Sequence, residues 1–406
     1  MSFSLKVQTS YQQQVMVNQK NKTIKILRII NRFNVGGPIH NVANLTKYLD
    51  LPYETLLIGG KATENEQDAT YLLDDLHIPY QKLDTMSRKL SLFSDLLALI
   101  SIIKIIKSYQ PDIIHTHASK AGVLGRIAGK FCGVRVIVHT YHGHVFEGYF
   151  NSLASKLIVS FERILGKLTT KIVVISERQK SEIYERYKIV PLQKIALIRL
   201  GFNLEEYLNC NQYREEMRNQ FELMNYFAVG IIGRLTPIKN HKLFIDAAAI
   251  VYQKNPVNFK FLIIGGGELE LELKNYVESC YPELQHCISF NSWVREMPRI
   301  YSALDLVCLT SKNEGTPVSL IEAQAAGIPV ISSNVGGVSD TILPNETGYL
   351  LEEFSATELA NRILELYVNQ EQRIKMSQNA RKFVEDRYSH MNLVKQMDAL
   401  YKTILK

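Results

Sequence analysis

The fold of this chain is decided by residues 227–240, which read FAVGIIGRLTPIKN. Ala228–Ile232 is an apolar run, which is typical of a parallel strand buried on both faces. A polar loop, Gly233–Asn240, follows, and an amphipathic helix is predicted after it, over His241–Gln253. This strand, loop and helix restart a pattern that already runs through the first half of the chain. They indicate that a second parallel sheet begins near Phe227.

Short apolar strands alternate with longer amphipathic helices on both sides of this point. The strands of the first half are predicted at Ile24–Ile30, Tyr53–Ile58, Asp112–Thr116, Arg135–Thr140 and Lys171–Ser176. Those of the second half are predicted at Ala228–Ile232, Lys260–Ile264, Cys287–Phe290, Leu306–Thr310 and Pro329–Ser332. The sequence therefore predicts an α/β protein with two Rossmann-like, doubly wound parallel-sheet domains. Ligands of such sheets bind outside the carboxyl ends of the strands.

Five segments are predicted along the chain. They are a polar, Gln-rich flexible tail at 1–22, an N-terminal domain at 23–204, a linker at 205–224, a C-terminal domain at 225–390, and a C-terminal helix at 391–406 that could pack back on the N-terminal domain.

The composition is that of a folded globular protein, with 406 residues, 46% hydrophobic and 21% charged. Its five cysteines show neither a disulfide framework nor a zinc-site spacing, which favours a reducing, cytoplasmic location. Residues 1–204 carry a net charge of +12 and residues 205–406 one of −5. A basic first half suits a phosphorylated substrate or anionic lipid. Nucleic acid is disfavoured, because no helix-turn-helix, zinc-finger or RNA-binding signature is present.

Two glutamates, Glu314 and Glu322, flank the start of a predicted helix. The helix is predicted over Pro317–Ala326, with Thr316 as its N-cap and Gly327 as its C-terminal stop. The unpaired backbone N–H groups of the helix start lie between the two carboxylates, so the segment could hold a phosphorylated, polyhydroxyl ligand. An ordinary amphipathic helix with two solvated glutamates is the alternative.

Three loops that follow predicted strands could approach a phosphate or a nucleotide. The first contains Gly36 and Gly37, the second contains Arg234 and Lys239, and the third begins at Gly265. Arginine and lysine at such a position could neutralise a diphosphate without a metal. Each loop taken alone is also compatible with an ordinary surface turn. The Gly36-Gly37 loop is not the G-x-G-x-x-G fingerprint of NAD enzymes.

Histidines cluster after two neighbouring strands of the first half, at His115–His117 and at His139–His144. We expect these imidazoles to form hydrogen bonds with substrate hydroxyl groups. Zinc is disfavoured, because no cysteine or carboxylate joins them at metal-site spacing. His117, Ser119 and Lys120 are expected on the acceptor side.

Taken in order, these motifs resemble those of GT-B glycosyltransferases of the retaining family 4 type, in the subgroup that builds bacterial surface polysaccharides. The resemblance covers about residues 24–395 and rests on Gly36-Gly37, the 115–122 cluster, His142-Gly143, Gly233-Arg234 with Lys239, and Glu314 with Glu322. It implies transfer of a hexose or N-acetylhexosamine, with retention, from a nucleotide-diphospho-sugar, for which UDP is the expected carrier. A GT-B epimerase or phosphorylase and a non-catalytic nucleotide-sugar-binding subunit are the alternatives. The Glu-Gly-Thr-Pro context of Glu314 argues for transfer.

The resemblance also implies residue roles. Arg234 and Lys239 would bind the donor diphosphate, Glu314 and His142 would contact the transferred sugar, and Glu322 would contact the ribose. The expected catalytic set is Arg234, Lys239, Glu314 and His142. The remaining donor-binding positions are Gly36, Gly37, Gly233, Gly265, Gly315, Thr316, Pro317, Val318 and, for the base, Val294.

No metal or other cofactor is expected, because preorganised cations can stabilise a departing diphosphate. The implied acceptor is a polyprenyl-linked sugar or a saccharide, bound by the basic N-terminal domain. Two predicted helices, Leu90–Ser108 and Ser152–Lys171, combine apolar and basic side chains. They suit peripheral contact with the anionic inner face of the cytoplasmic membrane. Two core-packing helices with solvated lysines are the alternative.

Overall fold

In the computed structural model, residues 23–63, 66, 68–86, 91–143, 152–292 and 296–406 are described. The chain divides into two compact units. The first ends at Val173 and also includes Ile189–Ala196 and Asp398–Lys406, and the second consists of Val174–Lys188 and Leu197–Met397.

The first unit contains a sheet with the strand order β3-β2-β1-β4-β5-β6-β7. Its strands are β1 (Ile24–Arg32), β2 (Tyr53–Gly60), β3 (Tyr80–Lys82), β4 (Ile113–His117), β5 (Val136–Thr140), β6 (Lys171–Val174) and β7 (Ile195–Leu197). Its helices are α1 (Gly37–Tyr48), α2 (Thr70–Asp75), α3 (Leu92–Tyr109), α4 (Ser119–Phe131) and α5 (Ser152–Leu168). The β1–β2, β1–β4 and β4–β5 pairs are all parallel, and β4 and β5 are buried along their whole length.

The second unit contains a sheet with the order β10-β9-β8-β11-β12-β13, and β8 pairs in parallel with both β9 and β11. Its strands are β8 (Phe227–Ile232), β9 (Phe259–Ile264), β10 (Ile288–Asn291), β11 (Leu306–Leu309), β12 (Val330–Ser333) and β13 (Gly348–Leu351). Its helices are α6 (Glu177–Ser181), α7 (Glu205–Leu208), α8 (Arg214–Gln220), α9 (His241–Lys254), α10 (Glu270–Cys280), α11 (Met297–Ala303), α12 (Val318–Ala325), α13 (Ala356–Val368) and α14 (Gln370–Tyr388). The predicted fold class, two Rossmann-like parallel-sheet domains, is confirmed.

The segment 205–224 is not the irregular linker that its polar sequence predicts. It forms α7 and α8, and Cys210, Met217 and Leu223 are buried in the core of the second unit. Arg218 anchors α8, because its guanidinium donates hydrogen bonds to Asp305 and to the carbonyl oxygen of Ala303. Three apolar residues scattered among charged ones are therefore enough to place this segment within the fold.

The last helix, α15 (His390–Leu405), contributes to both units, because its end from Asp398 onward belongs to the first. In the first unit the Tyr53 hydroxyl donates a 2.9 Å hydrogen bond to Asp398, and the Tyr401 side chain is fully buried. Within the described part of the chain, no helix has the length and apolar character required to cross a bilayer.

Candidate functional site

The candidate site of the second unit is built on loops at the carboxyl ends of β8, β9 and β11. Gly233 follows β8, and its N–H donates to the carbonyl oxygen of Ile264. Gly265 follows β9 and lies against Gly233: a Cβ atom at residue 265 would stand 2.0 Å from the Gly233 carbonyl oxygen, and φ there is +146°. Only glycine allows two loops to approach this closely.

Lys239 and Glu314 form the charged centre of this site. The Lys239 ammonium lies 2.5 Å from Oε1 of Glu314, and the Ser311 hydroxyl donates to the same oxygen at 2.6 Å. The two charged side chains are only 20% and 11% exposed. A charge-assisted contact at this degree of burial holds both groups in a fixed geometry.

Hydrogen bonds to backbone carbonyl oxygens hold the Lys239 and Glu314 loops together independently of that ion pair. The Thr310 hydroxyl donates to the carbonyl oxygens of Lys239 and Asn240, at 3.1 and 3.0 Å. The Lys312 N–H donates to the carbonyl oxygen of Ile238 at 2.8 Å. The loops after the neighbouring strands β8 and β11 therefore present one cation and one carboxylate as a unit.

Gly336 and Gly337 lie in the loop after β12 and contact the backbone of the Glu314 loop. The Gly337 N–H donates to the Glu314 carbonyl oxygen at 3.0 Å. A Cβ atom at residue 336 would lie 1.8 Å from that oxygen, and one at residue 337 would lie 1.9 Å from the carbonyl oxygen of Gly315. The path of the Glu314–Gly315 backbone thus depends on two glycines that the sequence analysis did not select.

Helix α12 begins at Val318, with Pro317 at the N-cap position and no side-chain cap. Thr316 is therefore not the N-cap, because the loop remains extended through Pro317. The predicted stop is confirmed: α12 ends at Ala325 and Gly327 follows with φ +76°.

Glu322 lies inside α12 and is already hydrogen-bonded. The Tyr207 hydroxyl donates to its Oε1 at 2.8 Å and the Tyr301 hydroxyl donates to its Oε2 at 2.9 Å. Burial raises the pKa of Glu322 to about 7, against the lowering effect of the two tyrosine hydrogen bonds. Tyr207 and Tyr301 thus orient this carboxyl group for any ligand hydroxyl that reaches it.

The raised pKa of Glu322 predicts a pH-dependent stability. The folded protein binds this proton more tightly than the unfolded chain, whose glutamate has a pKa near 4.5, so the free energy of unfolding falls as the pH rises from about 4.5 to about 7. The Glu322→Gln variant should lack this contribution, which is on the order of 3 kcal/mol. Urea unfolding at pH 5 and pH 8 measures it, with the exposed Glu278→Gln as control. An identical pH dependence in wild type and Glu322→Gln would contradict this assignment.

The other predicted donor-binding residues have simpler environments. Arg234 is exposed, and its side chain makes no hydrogen bond or ion pair with the described residues. Its guanidinium is therefore available to bind an anion. Gly36 and Gly37 lie where β1 leads into α1, in the first unit. Val294 lies outside the described residues, so its proposed contact with the base stays a prediction.

The first unit brings its histidines together at the carboxyl ends of β4 and β5. His115 is fully buried, with Nδ1 2.6 Å from the Tyr401 hydroxyl and Nε2 2.7 Å from the Thr140 hydroxyl. Nδ1 of His139 lies 2.9 Å from the Thr116 hydroxyl. His115 thus has protein partners at both ring nitrogens and His139 at one, because both strand positions are buried.

His117 and His142 form a separate pair, with Nδ1 of His117 2.9 Å from Nε2 of His142. Ser119 is exposed at the start of α4, whereas Lys120 is nearly buried and its ammonium is ion-paired with Asp95 of α3. Among the described residues, no group of three His, Cys, Asp or Glu side chains is arranged to hold a metal ion.

Sequence reasoning missed the partners that orient the selected residues: Ser311, Gly336 and Gly337 at Glu314, Tyr207 and Tyr301 at Glu322, and Tyr401 at His115. Of these, only Gly336 and Gly337 could have been selected from the sequence, because a glycine pair directly after the predicted strand Pro329–Ser332 indicates a loop at the carboxyl end of the sheet. The tyrosines lie far away in sequence from the groups that they contact, so no spacing indicates them.

Comparison with known proteins assigns both halves of the chain. Residues 42–206 match the family described as Glycosyltransferase Family 4, and residues 213–383 match that described as Glycosyl transferases group 1. Over 363 residues the chain is 31% identical to the UDP-Gal:alpha-D-GlcNAc-diphosphoundecaprenol alpha-1,3-galactosyltransferase of Escherichia coli, covering 88% of this chain and 91% of that protein. Over 327 residues it is 28% identical to the capsular polysaccharide biosynthesis glycosyltransferase CapM of Staphylococcus aureus, covering 79% and 84%.

Solved structures share the fold. A glycosyltransferase from Rickettsia africae matches with a TM-score of 0.79 and 23% identity, covering 95% of this chain and all of that one. The Anabaena protein HepE, in complex with UDP, matches with a TM-score of 0.77 and 21% identity, covering 94% of this chain and all of that one.

Proposed function

We propose a specific transfer reaction for this chain, which belongs to the family 4 glycosyltransferases of the GT-B fold. The chain moves a hexose or N-acetylhexosamine from a UDP-linked donor to a lipid-linked or saccharide acceptor, with retention of anomeric configuration, in cell-surface polysaccharide synthesis. The observation that carries the proposal is the group formed by Lys239, Glu314 and Ser311 at the carboxyl edge of the second sheet.

The charges of that group suit the reaction. Breaking the bond between the anomeric carbon and the diphosphate leaves negative charge on the diphosphate oxygens. Lys239, with the exposed Arg234 on the same loop, supplies the positive charge that stabilises them, so no metal is invoked. Glu314 Oε2 accepts no hydrogen bond from the described residues and is available for a hydroxyl of the transferred sugar. Glu322 receives the ribose hydroxyls, and His142 contacts the transferred sugar.

The environment of Glu314 also favours front-face transfer over double displacement. A double displacement with retention needs a carboxylate nucleophile on the far face of the sugar. Glu314 is instead assigned to a hydroxyl of the transferred sugar, and its contacts with Lys239 and Ser311 hold it in that position. The acceptor hydroxyl therefore attacks from the side on which the diphosphate leaves, and an oxygen of the leaving phosphate takes its proton.

The donor assignment is tested with a panel of sugar nucleotides, by measuring the release of nucleoside diphosphate by the full chain. We expect release from a UDP-linked hexose or N-acetylhexosamine. Formation of a C2 or C4 epimer of the intact donor would favour an epimerase, and binding without turnover would favour a non-catalytic subunit.

The acceptor assignment draws on exposed apolar side chains of two helices of the first unit, α3 and α5. On α5 the side chains of Leu157, Phe161 and Ile164 are 65%, 44% and 56% exposed, and the exposed Lys156 and Lys167 lie on the same helix. On α3 the exposed apolar side chains are Leu92, Phe93, Leu96, Leu97 and Ile100. Exposed apolar groups beside lysines suit the surface of an anionic membrane, where a polyprenyl-linked acceptor resides at the cytoplasmic face.

The membrane contact predicts binding to vesicles that contain anionic lipid. Replacing Phe161 and Ile164 by serine should weaken binding by roughly tenfold or more, because each buried apolar side chain contributes about 1.5–3 kcal/mol. Raising the salt concentration should weaken it further. Sedimentation with vesicles measures both effects, with Val368→Ser, which is 76% exposed on α13, as control. Equal binding to neutral and anionic vesicles would contradict the proposal.

A further inference from the structure

Two imidazoles of the first unit form a hydrogen-bonded pair at the carboxyl ends of adjacent strands. His117 is the last residue of β4, and His142 lies two residues after the end of β5. Nδ1 of His117 and Nε2 of His142 are 2.9 Å apart, and the rings are stacked with centroids 5.2 Å apart. The outer nitrogens, His117 Nε2 and His142 Nδ1, are buried and have no hydrogen-bond partner among the described residues.

The His117 ring is held in place by a third imidazole, that of His115. The His115 ring lies against that of His117, with centroids 4.2 Å apart. His115 in turn is bound at both nitrogens, by the Tyr401 hydroxyl at 2.6 Å and the Thr140 hydroxyl at 2.7 Å. Because His115 cannot rotate without losing these bonds, it restricts the orientation of the His117 ring.

The surroundings disfavour the charged form of both rings. Burial lowers the pKa of His117 and of His142, and His115, His139 and the guanidinium of Arg28 lower that of His117 further. Arg28 is fully buried on β1 opposite His115. The groups that the neighbouring strands place near His117 thus oppose an added positive charge.

For two neutral rings, the hydrogen bond couples their tautomers. If His117 is protonated on Nδ1 and donates the hydrogen bond, Nε2 of His142 must be unprotonated and accept it, so His142 is also protonated on Nδ1. If instead His142 donates from Nε2, Nδ1 of His117 must be unprotonated, and both rings are then protonated on Nε2. Opposite tautomers would place two protons or two lone pairs against each other across 2.9 Å.

We propose that His117 is a positioning residue that couples the tautomer of His142 to its own, so that the outer nitrogens of the pair always present one hydrogen-bond donor and one acceptor. The inference rests on the proposed function, in which His142 contacts the transferred sugar. A sugar hydroxyl that binds His142 then meets a ring that can exchange its donor for an acceptor only when His117 changes with it.

The spectroscopic test uses the full chain labelled with 15N-histidine. Two-bond 1H–15N spectra at pH 7 report the tautomer of each ring, and single histidine substitutions assign the signals. We expect His117 and His142 to show the same neutral tautomer. Opposite tautomers, or an imidazolium signal from either residue, would overturn the inference.

The kinetic test compares two substitutions of similar polarity. An asparagine amide overlays Nδ1 of histidine, so His117→Asn retains a partner for His142, whereas a glutamine amide overlays Nε2 and His117→Gln does not. We expect His117→Gln to lower kcat by roughly tenfold at unchanged KM, the effect of one lost hydrogen bond, and His117→Asn to stay within about threefold of wild type. Equal rates in the two variants would overturn the positioning role.

These two tests separate this inference from the proposed function. If the wild-type chain releases no nucleoside diphosphate from any donor in the panel, the proposed function fails. The tautomers of His117 and His142 still decide whether the two rings are coupled.

Discussion

The Lys239→Gln variant is expected to transfer sugar about 100- to 1,000-fold more slowly than wild type, measured as kcat with saturating donor, because it removes one preorganised charge from the departing diphosphate. Glutamine can still donate a hydrogen bond to Oε1 of Glu314, which Ser311 also supports. The hydrogen bonds from the Thr310 hydroxyl and the Lys312 N–H go to backbone carbonyl oxygens and do not involve the side chain of residue 239. The unfolding temperature should therefore change by only a few degrees.

A matched control for this variant lies three residues further along the chain. Lys242 is 45% exposed and is ion-paired with Glu272 of α10 at 2.7 Å. The Lys242→Gln variant removes the same charge from the same region and should leave kcat within twofold of wild type, because an exposed ion pair contributes at most about 1 kcal/mol. Equal losses in the two variants would mean that overall charge, and not the position of Lys239, is responsible.

The Gly337→Ala variant is expected to lose at least about tenfold in kcat, although residue 337 contributes no side chain to the site. The added methyl group would stand 1.9 Å from the carbonyl oxygen of Gly315, so the backbone of the Glu314 loop must move. A displacement of about 1 Å at a catalytic group can cost on the order of 100-fold in rate. We expect the affinity for UDP, measured by calorimetry, to fall less than kcat does.

The Gly133→Ala variant provides the comparison. Gly133 has φ +73°, and a Cβ atom there would have no neighbour within 4 Å. Its substitution therefore measures the backbone cost of replacing glycine, roughly 1 kcal/mol, without displacing a functional loop. We expect a lower unfolding temperature and an unchanged kcat. An unchanged kcat in Gly337→Ala as well would contradict the role given to the two glycines beneath Glu314.

The fold could be predicted from local patterns because parallel strands in this chain are short apolar runs between polar loops. The strand predicted at Ala228–Ile232 is observed at Phe227–Ile232, and that predicted at Lys260–Ile264 is observed at Phe259–Ile264. The segment 205–224 could not be predicted in this way. Its buried residues, Cys210, Met217 and Leu223, are too few and too widely spaced among polar residues to form a continuous apolar stripe, and tertiary packing gives them a place in the core.

The sequence could predict those site residues that lie in loops directly after strands. Lys239 and Glu314 both follow predicted strands, and they meet because β8 and β11 are neighbours in the sheet. The contacts that orient the site depend on distant residues. Tyr401 reaches His115 across 286 positions and Tyr207 reaches Glu322 across 115, and no short-range pattern encodes such pairs.

In the proposed function, the Lys239–Glu314 group carries retaining transfer from a nucleotide-diphospho-sugar. The most direct measurement is a 1H NMR time course of the full chain with its donor and a polyprenyl-diphosphate-linked acceptor, recorded for wild type and for Glu314→Gln. The spectra follow the loss of the donor and the anomeric coupling of the product. We predict an α-linked product from an α-linked donor and a loss of transfer of roughly 100-fold in Glu314→Gln. A β-linked product, or equal rates in the two proteins, would contradict the account.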